Sequence, residues 1–148
     1  MPLKNSQSGF TLLEILVAIV VLSLGLLGLA GLQAASLRNN QTAYYRAIVI
    51  QQTNDIADRI RANQAGAKAG DYNNLAATIP ADPDCVTNSC TASQIATADH
   101  SQWNNNNARL LPGGVGTVTS GPSGTFDVTI SWTENGATQS FPALRMQP

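Results

Sequence analysis

The sequence predicts an α+β fold in which one long N-terminal helix, membrane-spanning in its first half, packs against a small antiparallel β-sheet. Three observations predict this fold. An apolar run covers residues 10–32, a helical pattern continues from there to Asn63, and the C-terminal third alternates apolar and polar side chains as a strand does. The chain has 148 residues, so the part that follows the apolar run is large enough for one globular domain.

The apolar run contains a single charged residue, Glu14, and no proline. A helix of these 23 residues is about 34 Å long, which is enough to cross a hydrocarbon core of about 30 Å. A carboxylate at mid-bilayer costs about 3 kcal/mol on insertion scales, so a plain membrane anchor has no use for it. We therefore expect Glu14 to have a cationic partner.

A short polar segment, residues 1–8, precedes the apolar run and is followed by Gly9. The run is too long for an ordinary secretory signal, and the small residue lies before it rather than after it. Cleavage between Gly9 and Phe10 would retain the run and create a cationic amino terminus four residues from Glu14, at the positive end of the helix dipole. The ordered stretch GFTLLE at residues 9–14 resembles the prepilin motif of type IV pilins and type II secretion pseudopilins.

This resemblance implies a role for each matching residue. A prepilin peptidase would cut after Gly9, and the new terminal residue, Phe10, would be N-methylated. Glu14 would pair with the terminal amine of a neighbouring subunit during filament assembly. The alternative from the residues alone is a simple signal anchor with an accidental glutamate.

The second part of the helix is predicted to be amphipathic. Residues 33–63 contain no Gly or Pro, and apolar side chains recur there at helical spacing: Leu37, Tyr44, Tyr45, Ile48, Ile56 and Ile60. We expect this face to cover the sheet. Asp55 and Arg59 form an i,i+4 pair, which is interpreted as part of a solvated helix end.

Residues 66–83 are predicted to be an irregular connector because glycines and prolines interrupt any periodicity. Cys85 and Cys90 follow, and two cysteines without a neighbouring histidine or a second pair are too few ligands for a zinc site. In an oxidising compartment we expect them to form a disulfide that closes a small loop. Free thiols, and redox or metal chemistry, are the alternatives.

The C-terminal half is predicted to contain one short helix and a sheet. Thr91 can cap a helix from Ala92 to about Trp103, and the asparagines 104–107 favour a turn. Residues 115–119 and 126–132 form strands, and Asn135-Gly136 is typical of a type I′ turn that leads into a return strand at 137–141. Residues 143–146 add an edge strand. Trp103 and Trp132 are expected to fill the core.

Composition excludes several functions. The net charge is −1 and only 11% of residues are charged, so no basic surface suited to nucleic acid is expected. His100 is the only histidine and has no catalytic partners in a readable motif, so we expect it to have a surface or capping role. We expect neither an enzyme nor a cofactor nor a bound metal.

Further motifs extend the resemblance to nearly the whole chain. The segments GLLGLAGLQ, SLRNN, DIADRIRAN, LPGG and VTISW, together with the D-x-x-x-W pattern that ends at Trp103, resemble the minor pilins called type IV pilus modification protein PilV. That family implies a low-abundance pilin that joins other minor pilins to prime pilus assembly, with consequences for adhesion and twitching motility. Its partners would be other minor and major pilins, prepilin peptidase and the inner-membrane assembly platform.

The resemblance also implies an organisation and a location. Residues 1–9 would be the leader peptide, 10–32 the transmembrane and assembly helix, 33–65 the amphipathic half of the helix, and 66–148 a periplasmic head. The protein would cross the inner membrane once and reach the pilus or cell surface after assembly. Two rival hypotheses are a minor pseudopilin of a type II secretion system and a membrane-anchored periplasmic binding domain.

Overall fold

The structure, a computed structural model, describes residues 9–141 and 144–147. The predicted leader before Gly9 and the first residue of the predicted edge strand, Ala143, lie outside the described residues. The chain divides into two compact units, Met1–Gln41 and Thr42–Pro148. Among the described residues, the first unit contains the early part of the long helix, and the second contains the remaining elements.

Three α-helices, and a single 3-10 turn at Pro122–Gly124, are present in the described part of the chain. Helix α1 covers Leu12–Ala62, α2 covers Gln64–Ala69, and α3 covers Ala92–Leu110. Helix α1 continues without a break through Gly25, Gly28 and Gly31, so the predicted long helix is confirmed.

The sheet contains five antiparallel strands: β1 at Asn74–Leu75, β2 at Val115–Ser120, β3 at Phe126–Glu134, β4 at Ala137–Ser140 and β5 at Leu144–Met146. Their order is β1-β2-β3-β4, and β5 also pairs with β3. Strands β4 and β5 lie one after the other along the same edge of β3, because their partners are residues 131–134 and 126–128 of that strand.

The turn between β3 and β4 has the predicted geometry. Asn135 and Gly136 have φ values of 52° and 76°, and a type I′ turn requires a positive φ at both central positions. Along β3 the side chains alternate between core and surface, so that Phe126, Val128, Ile130 and Trp132 are buried. This alternation confirms the strongest β-strand prediction.

The core lies between the sheet and the helices of the second unit. Helix α1 contributes Ile48, Val49, Ile56, Ala57 and Ile60, which form one apolar cluster with the inward face of the sheet, Trp103 and Leu111. Trp103 is fully buried, and its indole N–H donates to the backbone oxygen of Gln52 at 2.9 Å. The predicted α+β arrangement and the core positions of both tryptophans are therefore confirmed.

The predicted apolar face of the helix was too long. Leu37 is 69% exposed and Tyr44 is 61% exposed, whereas Tyr45 is half-buried and Ile48 is buried. The periodicity in the sequence continues through both regions, but the buried stripe begins only where the helix contacts the sheet. Side-chain spacing predicts which face of a helix is apolar, but it does not predict how far along the helix that face is buried.

The predicted irregular connector contains two short elements. Asn63 ends α1 and caps α2, because its side-chain oxygen accepts a hydrogen bond from the N–H of Gly66 at 3.2 Å. Gly70 then ends α2 in the left-handed conformation, with a φ of 88°. Asn74 and Leu75 pair with β2 as strand β1. Elements of six and two residues are too short for periodicity to reveal.

The predicted turn at 104–107 is wrong, because α3 continues to Leu110. The predicted start is confirmed, since the Thr91 hydroxyl accepts from the N–H of Gln94 and the Gln94 side chain accepts from the N–H of Thr91. Asn104 and Asn107 are buried rather than in a solvated turn. Asn104 bonds the backbone of Ala76 and Gly116, and these tertiary hydrogen bonds outweigh the local preference of asparagine for turns.

The expected surface or capping role of His100 is also wrong. Its side chain is 8% exposed, and Nε2 lies 2.8 Å from the backbone oxygen of Ala76. A carbonyl oxygen only accepts hydrogen bonds, so Nε2 must carry a hydrogen in this arrangement. His100 therefore fixes the segment after β1 to the middle of α3.

Candidate functional site

The start of α1 places the predicted processing and assembly residues close together. The N–H of Glu14 donates to the backbone oxygen of Thr11 at 3.1 Å and to its hydroxyl oxygen at 3.3 Å. Thr11 thus caps the helix, and Glu14 lies in the first turn. Gly9 and Phe10 precede the helix and are both exposed.

Phe10 and Glu14 border one shallow apolar groove on this face of the segment. The groove is also lined by Ile15, Ala18, Ile19 and Leu22. In the described part of the chain, no side chain forms a hydrogen bond or ion pair with the Glu14 carboxylate. The site thus combines an unpaired acid, an aromatic residue one turn away, and an apolar surface.

The apolar surface extends along the whole first part of α1. The large apolar residues from Phe10 to Leu32 are all at least half exposed: Phe10, Leu12, Leu13, Ile15, Leu16, Val17, Ile19, Val20, Val21, Leu22, Leu24, Leu26, Leu27, Leu29 and Leu32. By length and composition, α1 is the one described helix that can cross a membrane, and none of its most apolar 18-residue window is buried. Such a surface requires lipid or the helices of other subunits to cover it.

Gly25, Gly28 and Gly31 lie within this exposed helix. An added Cβ at any of the three would meet no other atom within 4 Å. Their small size therefore serves no packing contact within the described chain. Small residues on a helix surface allow the backbone of another helix to approach closely in lipid.

The second unit contains a polar network that joins the three helices. Arg59 on α1 donates to Asp55 at 3.0 Å and to Asp99 on α3 at 3.1 Å. The Tyr72 hydroxyl donates to the other oxygen of Asp99 at 2.5 Å and accepts from the Asn63 amide at 3.0 Å. The predicted Asp55–Arg59 pair is confirmed, but Arg59 is part of a semi-buried network rather than of a solvated helix end.

Burial and electrostatics perturb two groups in this network. Burial raises the pKa of Tyr72, and its hydrogen bond to the Asp99 carboxylate raises it further. Burial lowers the pKa of Arg59, but Asp55 and Asp99 together outweigh this effect and leave the pKa above its usual value. Tyr72 is therefore a neutral donor and Arg59 a permanent cation across the physiological range.

Sequence reasoning missed most of this network. Asn63 lies at the end of a helix, where many polar residues could act as a cap, and Tyr72 lies in the predicted connector. Only the D-x-x-x-W pattern included Asp99, and it gave that residue no partner. Long-range partners such as these have no signal in local spacing.

The cysteines lie away from the network. Cys85 and Cys90 are joined in a disulfide with a Cα–Cα distance of 5.4 Å, and the loop they close includes the exposed residue Val86. Neither of them is therefore a free thiol. In the described ranges, no group of three or more His, Cys, Asp and Glu side chains is arranged to hold a metal ion.

Comparison with known families identifies one segment. Residues 4–30 match the prokaryotic N-terminal methylation motif. The match covers the predicted cleavage position, Phe10, Glu14 and most of the exposed apolar helix. It supports a type IV pilin-like or pseudopilin class of protein, which is structural rather than enzymatic. No curated protein and no solved structure matches the chain.

Proposed function

We propose that the protein is a minor type IV pilin. Prepilin peptidase removes residues 1–9, Phe10 becomes the N-methylated amino terminus, and the mature chain enters a minor-pilin complex that primes pilus assembly. Adhesion and twitching motility depend on the pili that result. One observation carries the proposal, namely the unpaired Glu14 carboxylate one turn from Phe10, at the start of a helical segment whose large apolar side chains are all at least half exposed, within the matched motif.

The unpaired charge of Glu14 is costly in lipid. A carboxylate in the hydrocarbon region is unfavourable by about 3 kcal/mol at mid-bilayer, and a cationic group offsets that cost. Cleavage after Gly9 creates such a group at Phe10, and a single methylation converts this primary amine to a secondary amine that is still basic and cationic. A neighbouring subunit can present its own terminal amine to Glu14, so pairing favours side-by-side packing of the helices.

The exposed helix determines the expected location and partners. Before assembly, α1 anchors the protein in the inner membrane with the second unit in the periplasm, where an oxidising environment favours the Cys85–Cys90 disulfide. During assembly, the apolar surface moves from lipid to the helices of other minor and major pilins. Gly25, Gly28 and Gly31 offer the face on which a second helix approaches most closely.

Mass analysis of the mature protein tests the processing step. The purified chain should begin at Phe10 and carry one additional methyl group. Replacing Gly9 with leucine should leave a precursor that is heavier by the nine-residue leader. A mature protein that begins at Met1, or beyond Leu32, would contradict the proposal.

The Glu14→Gln variant tests the pairing step. This variant should be processed normally, but its incorporation into the minor-pilin complex should fall at least about tenfold, since the loss of about 1.4 kcal/mol corresponds to a factor of ten. Asp58→Asn is a matched control, because Asp58 is an exposed acid on the same helix that pairs only with Arg61 nearby. Equal incorporation of the two variants would remove the pairing argument.

A minor pseudopilin of a type II secretion system is the second candidate, because the matched motif is common to both classes. Deletion of the gene separates them. Loss of surface pili with normal protein secretion supports the pilin, and the opposite result supports the pseudopilin.

A further inference from the structure

The two edges of the sheet are closed to different degrees. At one edge, β1 pairs with residues 118 and 119 of β2, and the N–H of Ser120 donates to the backbone oxygen of Asn73 at 2.9 Å. Where β1 ends, the Asn104 side chain takes its place. Its amide oxygen accepts from the N–H of Gly116 at 2.7 Å, and its amide nitrogen donates to the Gly116 carbonyl at 3.0 Å. This edge is therefore covered.

The opposite edge, formed by β4, has no such cover from residues 9–141 or 144–147. All four residues of β4 are exposed, and none is charged or a proline. Alternate residues of an antiparallel strand direct their N–H and C=O groups to opposite sides. The backbone N–H and C=O groups of Ala137 and Gln139 point toward β3. The type I′ turn and the hydrogen bond from the Phe141 N–H to the Ile130 carbonyl at 2.9 Å require this register. Thr138 and Ser140 therefore direct two donors and two acceptors outward.

A groove lies beside this open edge, on the side that faces α1. It has a volume of about 500 Å³ and is lined by Arg46, Trp132, Glu134, Gln139 and residues near them. Both oxygens of Glu134 already accept hydrogen bonds, one from the Thr42 hydroxyl and one from the Trp132 indole at 3.4 Å.

Arg46 has no such partner. It is exposed, and no carboxylate of the described residues lies within ion-pair distance of its guanidinium. The groove thus contains the Glu134 carboxylate, whose two oxygens already accept hydrogen bonds, and the Arg46 guanidinium, which has unused donors. A carboxylate supplied from outside could pair with the Arg46 guanidinium.

The geometry points to the β4 edge as a strand-acceptor site for an extended, acidic segment of another polypeptide. The segment would add an antiparallel strand to β4 through Thr138 and Ser140 and place a carboxylate against Arg46. The observations favour this occupant over a second copy of the chain, because β4 itself contains no acid to face Arg46. The inference rests on the second unit and does not depend on the pilin assignment.

The pairing pattern specifies the orientation of the added strand. Residues opposite Thr138 and Ser140 exchange hydrogen bonds with β4, and their side chains lie on the outward face of the sheet. Residues opposite Gln139 have side chains on the groove side, where Arg46 lies, and their N–H groups point away from β4. Acidic side chains and hydrogen-bonding backbone groups must therefore alternate along the ligand.

A binding experiment with synthetic peptides tests this arrangement. The probe is a fluorescent, end-capped heptapeptide in which glutamate alternates with valine or threonine, and the full chain is held in detergent micelles. A glutamine version of the peptide should bind about threefold to fivefold more weakly to the wild-type protein. Arg46→Gln should remove this difference without changing the affinity for the glutamine peptide.

Backbone methylation provides the sharper comparison. N-methylation of the valines and threonines should weaken binding at least about tenfold, whereas N-methylation of the glutamates should leave it nearly unchanged. Equal effects of the two methylations, or no saturable binding of either parent peptide, would overturn the inference. Self-association of the full chain that Thr138→Pro abolishes would assign the edge to a second copy and would overturn it as well.

Discussion

Replacing Tyr72 with phenylalanine removes one hydroxyl from the network that joins the three helices. That hydroxyl donates to Asp99 at 2.5 Å and accepts from Asn63 at 3.0 Å, and Tyr72 is fully buried. Both partners keep other hydrogen bonds, Asp99 to Arg59 and Asn63 to the Ala92 carbonyl. The loss is therefore one charge-assisted and one neutral hydrogen bond, and the free energy of unfolding should fall by about 2 to 3 kcal/mol at pH 7.

The dependence on pH is a second consequence of the same contacts. Burial and the nearby Asp99 carboxylate raise the pKa of Tyr72 above its unfolded value of about 10. A raised pKa in the folded state means that the stabilisation is complete below pH 10 and is lost as the pH rises through the folded pKa. At pH 11, one unit above the unfolded pKa, the wild type should have lost about 1 kcal/mol of this stabilisation.

Urea unfolding of the full chain in detergent micelles, followed at pH values from 7 to 11, measures both effects. The Tyr72→Phe variant should unfold more easily at pH 7, and the difference from wild type should shrink above pH 10. Tyr44→Phe is a matched control, because that ring is 61% exposed. A stability difference that stays constant up to pH 11, or one that is absent at pH 7, would refute the reasoning.

Three further changes test other contacts. Asn104→Ala should lower the free energy of unfolding by about 2 to 4 kcal/mol, because it leaves the buried N–H and C=O of Gly116 unpaired, and thermal unfolding measures this. Gly116→Ala should destabilise the second unit by about 1 to 3 kcal/mol, because the new Cβ would lie 2.3 Å from the Trp103 ring, and the same measurement applies. Asp127→Asn should speed amide exchange in β5 near neutral pH, because Arg145 bonds both oxygens of the Asp127 carboxylate. These bonds also lower the pKa of Asp127. The stabilisation is therefore present above the unfolded pKa of about 4 and disappears as the pH falls through the folded pKa.

For each of these changes, a second variant or a second pH tests whether the named contact is responsible for the effect. Gly28→Ala meets no atom within 4 Å, so it should not destabilise the second unit as Gly116→Ala does. Asn104→Asp would place a buried carboxylate against the Ala76 and Gly116 carbonyls, so at pH 7 it should destabilise the second unit at least as much as alanine does. Amide exchange in β5 that differs equally at pH 3 and pH 7 would contradict the role of the Asp127 charge.

The elements that the sequence predicted well are those whose signal is local. Thr91 and Gln94 form the capping box within one turn, and Asn135-Gly136 determines the hairpin by its own backbone preferences. The alternation from Phe126 to Trp132 gives both the strand and its buried face. Each of these signals depends on residues within about ten positions of one another.

The elements that the sequence missed depend on distant partners. Asparagine at positions 104–107 favours a turn, yet Asn104 is buried against β2 and the helix continues through it. His100 is buried and its Nε2 bonds the Ala76 carbonyl oxygen, and no spacing rule connects those two positions. The contact length of α1 depends on the size of the sheet, which the helix sequence does not contain.

The candidate site is a different case, because its evidence lies almost entirely in the sequence. Gly9, Phe10 and Glu14 have no side-chain partners to report among the described residues, so the structure adds their positions at the start of α1 and the exposure of the surface around them. An unpaired acid on a bare apolar helix is unfavourable for an isolated chain in lipid. The second unit closes its core with residues of α1 from Ile48 to Ile60, and none of residues 10–32 belongs to that core. This exposed apolar surface is therefore available for contacts with other molecules. Removal of the Glu14 charge should affect assembly and should leave the fold of the second unit unchanged.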